Sequence, residues 1–164
     1  MYNSNLGNTS RLLLNLTNAE ETSRSEWNST TPTSSFFYVN NDDVVNGASA
    51  TYVAYCFAEK TGFSKFGSYI GNGNSDGSFI FCGFKPAFIM IKRTSSTDNW
   101  VMIDNRRLGY NDLNYGLFPN TSDVEQTSTD FRFDLLSNGF KMRNNSGYTN
   151  SNGQSYIFMA FAEA

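Results

Sequence analysis

The chain contains no histidine. That absence removes Ser-His-Asp and Cys-His nucleophilic catalysis and most zinc sites. Its two cysteines, Cys56 and Cys82, are too few for a disulfide framework. Two small buried thiols in strands are the simpler expectation, and a bond pinning the two segments together is the alternative. Charge is sparse, with a net value of −3 and an isoelectric point near 4.8. The Lys and Arg residues are scattered, the densest group being Lys92-Arg93, so there is no basic patch of the kind a nucleic-acid surface shows. No apolar run approaches the length of a membrane span and the N-terminal stretch is polar, so neither a transmembrane helix nor a signal peptide is expected.

What the chain has in plenty is aromatic and small polar residues. Fifteen Phe and nine Tyr stand beside Ser, Thr and Asn that make up about a third of the 164 residues. Aromatic and β-branched side chains suit a pleated, half-buried surface, and Asn, Ser and Gly suit turns. The length allows one domain, or one and a half small ones, with a real core. The expectation is an all-β chain rich in loops, since the aromatics supply too much core for disorder.

Internal repetition organises the sequence. A shift of 104 positions aligns Phe36–Glu59 with Phe140–Glu163 without a gap, and Phe36, Asn40, Asn41, Asn46, Tyr52, Phe57, Ala58 and Glu59 meet identical residues. Further back, Leu14–Glu20 lies opposite Pro119–Glu125, and Asn3, Leu6 and Gly7 match Asn105, Leu108 and Gly109. The expected division is 1–62, the C-terminal half of a first β repeat, and 63–164, a complete second repeat. Met1 falls opposite Ile103, so the first copy lacks counterparts of Phe63–Met102. A half unit leaves an apolar sheet face uncovered. Further chain upstream, another subunit or the second copy could complete it. The Lys60-Thr61-Gly62 linker is short enough to hold the two units in fixed contact.

Period-two alternation and turn residues place the strands of the second copy at Phe63–Ile70, Ser78–Cys82, Ala87–Arg93, Trp100–Asp104, Phe131–Leu136, Gly139–Arg143 and Tyr156–Glu163. Ala87–Arg93 is apolar on both faces and is expected to be central. Ser137-Asn138-Gly139 reads as a hairpin turn built on residues that tolerate positive φ. Three more strands are expected near Arg11–Leu16, Ser35–Val39 and Tyr52–Glu59. Thr22–Ser35 reads as a polar loop anchored by Trp27. The fold class is therefore an antiparallel β-sandwich or jelly roll.

Three chemistries are weighed. Asn72, Asn74 and Asp76 alternate before Gly77 as in the first half of a calcium loop, but Gly83 stands where the bidentate Glu should be, so a hairpin turn is the better reading. Asp104, Asp112, Asp123, Glu125, Asp130 and Asp134 are raw material for a glycosidase, yet no pair is recognisable. Glu59 and Glu163 recur at one strand-end position, which suggests a structural job such as bonding loop amides. Glycan binding would use aromatic rings beside amides: Trp100, Tyr110, Tyr115 and Tyr148 with Asn99, Asn111 and Asn114, centred on the loop Leu108–Tyr115. The competing reading puts Trp100 in the core and the tyrosines at a rim or interface. No cofactor is called for.

The blocks YVAYCFAEKTGFSKFGSYIGNGNSDGSFIFCGFKPAFIMIKRT, NWVMIDNRR, FDLLSNGFKMR and YIFMAFAE resemble a repeat domain of uncharacterised function found in virion proteins of marine tailed bacteriophages. LGNTSRLLLNLT and WNSTTPTSS resemble the end of the preceding repeat. The resemblance implies a virion-associated β-sandwich in tail-fibre-like or particle-surface proteins, with a structural function as appendage or capsid decoration. Other virion proteins are then the expected partners, and the incomplete first copy adds the expectation of a homo-oligomer, such as a trimer. It carries no catalytic residues. The alternatives are a lectin-like module recognising host surface glycan and, less favoured, a polysaccharide-degrading enzyme. A nucleic acid and a membrane are not expected as partners.

Overall fold

The computed structural model describes residues 1–107, 111 and 114–163. Compactness divides the chain into two units, Met1–Leu13 with Glu20–Phe57, and Leu14–Ala19 with Ala58–Ala164. The expected division at 62/63 followed sequence correspondence. The compact second unit instead begins at Ala58 and takes in the short stretch Leu14–Ala19.

The second unit is nearly all antiparallel sheet. Its strands are β1 (Ser64–Ile70), β2 (Phe79–Phe81), β3 (Pro86–Arg93), β4 (Trp100–Asp104), β5 (Tyr115–Gly116), β6 (Gln126–Thr127), β7 (Phe133–Leu136), β8 (Gly139–Met142) and β9 (Ser155–Ala162). A four-stranded sheet runs β1-β9-β3-β4, a three-stranded one β2-β8-β7, and β5 pairs with β6. All seven strands expected in the second copy are present, and β3 is interior, flanked by β9 and β4. Side chains of the two larger sheets meet in one core. Ile89, Ile91, Val101, Ile103, Phe158 and Ala160 come from the four-stranded sheet, and Ile80, Phe133, Leu135, Phe140 and Met142 from the three-stranded one. Phe140 and Phe158 touch edge-on across it, with ring centroids 5.4 Å apart.

Two glycines are explained by close approach. Gly67 pairs with Phe158, and a Cβ there would lie 2.6 Å from the phenyl ring, so the ring needs the missing side chain. Gly139 was expected to supply positive φ, but neither it nor Asn138 has one. Its lack of a side chain serves packing instead: β2 lies against it at Phe81↔Gly139, and a Cβ would collide with the Ile80 carbonyl. Asn138 O in turn accepts from the amides of Cys82 and Gly83, at 2.9 and 3.0 Å.

The first unit departs from expectation. None of the strands expected near Arg11–Leu16, Ser35–Val39 and Tyr52–Glu59 forms. The unit holds only an isolated Arg11↔Glu21 bridge and one helical turn, α1 (Asp43–Asn46), capped by Asp42 Oδ1 accepting from Val44 N at 2.9 Å. The physical reason is the absence of partners, because a strand propensity is realised only against neighbouring strands. Trp27 does anchor its loop, donating from Nε1 to Ser10 O at 2.9 Å and meeting Tyr2 edge-on. Beside it, Glu26 is buried and its Oε1 accepts from Arg11 and Arg24.

Candidate functional site

Of the five side chains considered for glycan binding, Trp100, Asn111, Tyr115 and Tyr148 lie among the described residues and Tyr110 does not. Trp100 is only 1% exposed, at the start of β4, opposite Lys92 in register. Its amide donates to Asn120 Oδ1 at 2.9 Å, and Asn120 Nδ2 donates to Asn99 Oδ1 at 2.7 Å, so these amides are spent on one another. Buried so completely, the indole offers no face to a sugar, which corrects its assignment as a surface residue. Tyr148 is half-buried and tilts against Phe118 and Phe131 at centroid distances of 5.3 and 5.8 Å. Asn111 Oδ1 accepts from Leu135 N at 2.8 Å. Tyr115 is half-buried in β5, paired with Thr127. Tyr110 lies outside the described residues, as do Leu108, Gly109, Asp112 and Leu113.

The loop Gly71–Gly77 is a turn closed on itself. Asn72 Oδ1 accepts from Asn74 N at 3.0 Å, and Asn74 Oδ1 accepts from Asp76 N at 2.9 Å. Asp76 is ion-paired to Lys141 at 2.7 Å, which holds its carboxyl below the ordinary range. Oxygens already engaged this way are poor calcium ligands. No cluster of three or more His, Cys, Asp or Glu side chains suited to a metal occurs among the described residues.

Several of the described acidic residues are held in ion pairs. Arg107 bridges Asp104 at 2.6 Å and Glu125 at 2.7 Å. Burial works against the Asp104 carboxylate, yet this guanidinium and the amides of Arg106 and Arg107 hold its pKa below the usual value. Arg143 pairs with Asp134 at 2.6 Å. Glu59 bonds a strand amide rather than a loop one, its Oε1 accepting from Phe66 N of β1 at 3.2 Å while Oε2 meets Lys65. Glu163 pairs with Arg106.

Both thiols are free, which rules out the Cys56–Cys82 bond in this structure. Cys82 is buried, and burial pushes its pKa up to about 12, so it is inert. Cys56 was expected to be buried as well, but is exposed.

Three features escaped sequence reading. Lys92 is completely buried on β3, and its Nζ donates to Thr17 O, Arg93 O and Asp98 O at 3.2, 2.8 and 3.0 Å. Burial pushes its pKa down to about 8. Thr17 O also accepts from Asp98 N at 2.8 Å, so this amine and amide together hold Leu14–Ala19 within the second unit. Asn150 is a second hub: its Nδ2 donates to Asn72 Oδ1, Asn74 O and Asn144 O, and its Oδ1 accepts from Asn72 N. A polar residue inside an apolar run was the available signal for the first, and the repeated Asn46/Asn150 match for the second.

The third feature is an exposed apolar stretch. Every residue from 51 to 62 is exposed, and Tyr52–Phe57 lies in neither helix nor strand. Val53 and Tyr55 are 79% and 83% exposed, beside Phe57 at 61%. Tyr52 is tied locally, its hydroxyl donating to Asp43 O at 2.7 Å and accepting from Gly47 N at 2.8 Å. Scattered exposed apolar residues are normal, whereas a contiguous run marks an interaction surface.

No curated protein and no solved structure matches the chain. One family does, described as a domain of unknown function (DUF7483), and it matches residues 1–164. With a match over its whole length, the chain belongs to the DUF7483 family.

Proposed function

We propose that this chain is a structural and assembly module of a bacteriophage particle, an appendage, tail-fibre or capsid-decoration component that works by packing against copies of itself and other virion proteins. The observation that carries the assembly role is the exposed apolar stretch Tyr52–Phe57 in a chain that also holds a well-packed β unit. The phage setting rests on the sequence resemblance alone. A structural role also fits the disposition of reactive groups: the carboxylates described above sit in ion pairs and the buried thiol is inert.

The second unit is a β-sandwich in this reading, since two antiparallel sheets share one core. The repeat finds support in pairing. Arg11 bridges Glu21, and Gly116 pairs with Gln126; both members of the second pair stand 105 positions after those of the first. That offset is the one that aligns Leu14–Glu20 with Pro119–Glu125. A particle reconstruction in which the two-sheet core fits density at head or tail supports the proposal. Particles assembled normally in a strain deleted for the gene, with no density lost, would sink it. No observation favours the glycan-binding reading over this one, because Trp100 is buried and Asn111 is engaged.

A further inference from the structure

Strand β2 is a sheet edge whose main chain is open on one side. Among the described residues β8 is the only strand paired with it, at Phe79↔Lys141, Ile80↔Phe140 and Phe81↔Gly139. Met142 N donates to Ser78 O and Cys82 N to Asn138 O, which fixes 78, 80 and 82 as the residues whose main chain bonds the β8 side. The N–H and C=O of Phe79 and Phe81 therefore point the other way, where no described strand or isolated bridge meets them. Side chains alternate as well. Ile80 lies in the core, while Phe79 and Phe81 are 46% and 63% exposed on the outer face. Edge strands are ordinarily guarded by proline, charge or shortness, and β2 carries neither proline nor charge.

Geometry and charge select what pairs with this edge. Residues 77–84 hold no charged side chain. The charges beside them cancel, since Asp76 pairs with Lys141 and Arg143, and Arg143 with Asp134. Such a surface has nothing to offer a polyanion and suits an uncharged strand edge. The β2 of a second copy is such an edge, and its register is fixed. With the strands antiparallel about a two-fold axis at Ile80, Phe79 meets Phe81 of the second copy, and the free groups of each bond those of the other. An axis at Phe79 or Phe81 would instead call on Gly77 or Gly83, whose amides already donate to Met142 O and Asn138 O. The Ile80 axis also brings Asp76 of one copy to the end where Lys85 of the other lies, acid toward base. Parallel strands would set Lys85 beside Lys85.

Resting on the assembly reading above and deepening it, we infer that β2 is a self-association edge of this chain, pairing antiparallel with β2 of a second copy about a two-fold axis at Ile80. The three-stranded sheets of two copies then continue into one another, β7-β8-β2 joined to β2-β8-β7. Main-chain bonds hold the strands, and the Phe79 and Phe81 rings pack across the seam on the outer face. Strands this short bury less than a stable interface needs, so flanking surfaces add to the contact.

The test compares the whole chain with Phe81→Lys, which puts a charge into the seam at an exposed position. Light scattering over a concentration series, residue-resolved hydrogen exchange in β2 and thermal melting of dilute protein are read together. The expected result is a concentration-dependent dimer that the variant weakens by roughly tenfold or more, with the melting temperature of dilute protein unchanged. In dilute protein the amide of Ile80 exchanges slowly and those of Phe79 and Phe81 fast; at high concentration all three are slow. A monomer at every concentration overturns both this inference and self-assembly. An oligomer in which the Phe79 and Phe81 amides stay fast, or which Phe81→Lys leaves intact, overturns the inference while self-assembly stands. Should the variant melt lower, the exchange of Phe79 and Phe81 in the unaltered chain decides alone.

Discussion

Tyr52–Glu59 and Tyr156–Glu163 share four of eight residues in register, yet the structure treats them as opposites. The second is β9, the strand between β1 and β3. The first is exposed throughout and belongs to no strand. Tyr156 is buried, stacks on Tyr69 at 5.0 Å, donates to Gly147 O and accepts from Ser151 N. Tyr52 makes the same two kinds of hydrogen bond, but to residues of its own helical turn and in solvent. Phe161 lies among Phe63, Phe66 and Phe88, while Phe57 is largely open. Octets identical at half their positions thus meet different fates, and only one has strands on both sides. Sequence sets what a strand can be, and its neighbours decide whether it becomes one.

The largest contrast is expected at Phe158 and its counterpart Ala54. Phe158 fills the space above Gly67 and meets Phe140 across the core, so Phe158→Ala removes both contacts and leaves a void. It is expected to cost about 3–5 kcal/mol, read by denaturant unfolding. Ala54→Phe is exposed and should change stability by less than about 0.5 kcal/mol. Comparable losses at both sites would break the contrast, because Ala54 would then have to be packed.

Next come the paired tyrosines. Tyr156→Phe removes two part-buried hydrogen bonds, from Ser151 N and to Gly147 O, at an expected cost of about 1–3 kcal/mol for the pair. Tyr52→Phe leaves groups that water can reach, and should cost no more than about 0.5 kcal/mol. Melting curves of the two variants side by side sharpen the comparison, since the atoms removed are the same.

Much of the second unit was legible because its strands alternate and end at turn residues. The apolar run Ala87–Arg93 identified an interior strand before any topology was known. β5 and β6 were not legible, since two residues carry no period. The strands expected in the first unit were misread for a physical reason: Phe36–Val39 and Tyr52–Glu59 have strand composition, and composition does not reveal a missing partner. Lys92 drew notice only as half of the Lys92-Arg93 pair, yet it stands in β3 opposite buried Trp100, where three carbonyls receive its amine. Rings and amides near one another in sequence suggested a sugar platform, but Trp100 packs inward and Asn111 bonds the main chain. Which face an aromatic residue takes depends on sheet pairing, and one sequence does not disclose that.

The smallest effect on stability, and the most direct check on the exposed octet, is expected from Cys56. Its counterpart in β9 is Ala160, fully buried, where a larger group would collide with the core. Cys56 is free and exposed, so a thiol reagent should modify it at once in dilute protein. Cys82 provides the internal control. Burial removes it from solvent and pushes its pKa up to about 12, so it should react only when the second unit unfolds. Titration should therefore give one fast thiol and one more in denaturant, with the melting temperature unchanged after the first is blocked. A slow first thiol would mean that Tyr52–Glu59 is covered even in dilute solution, and the contrast between the two octets would then be one of partner rather than of exposure.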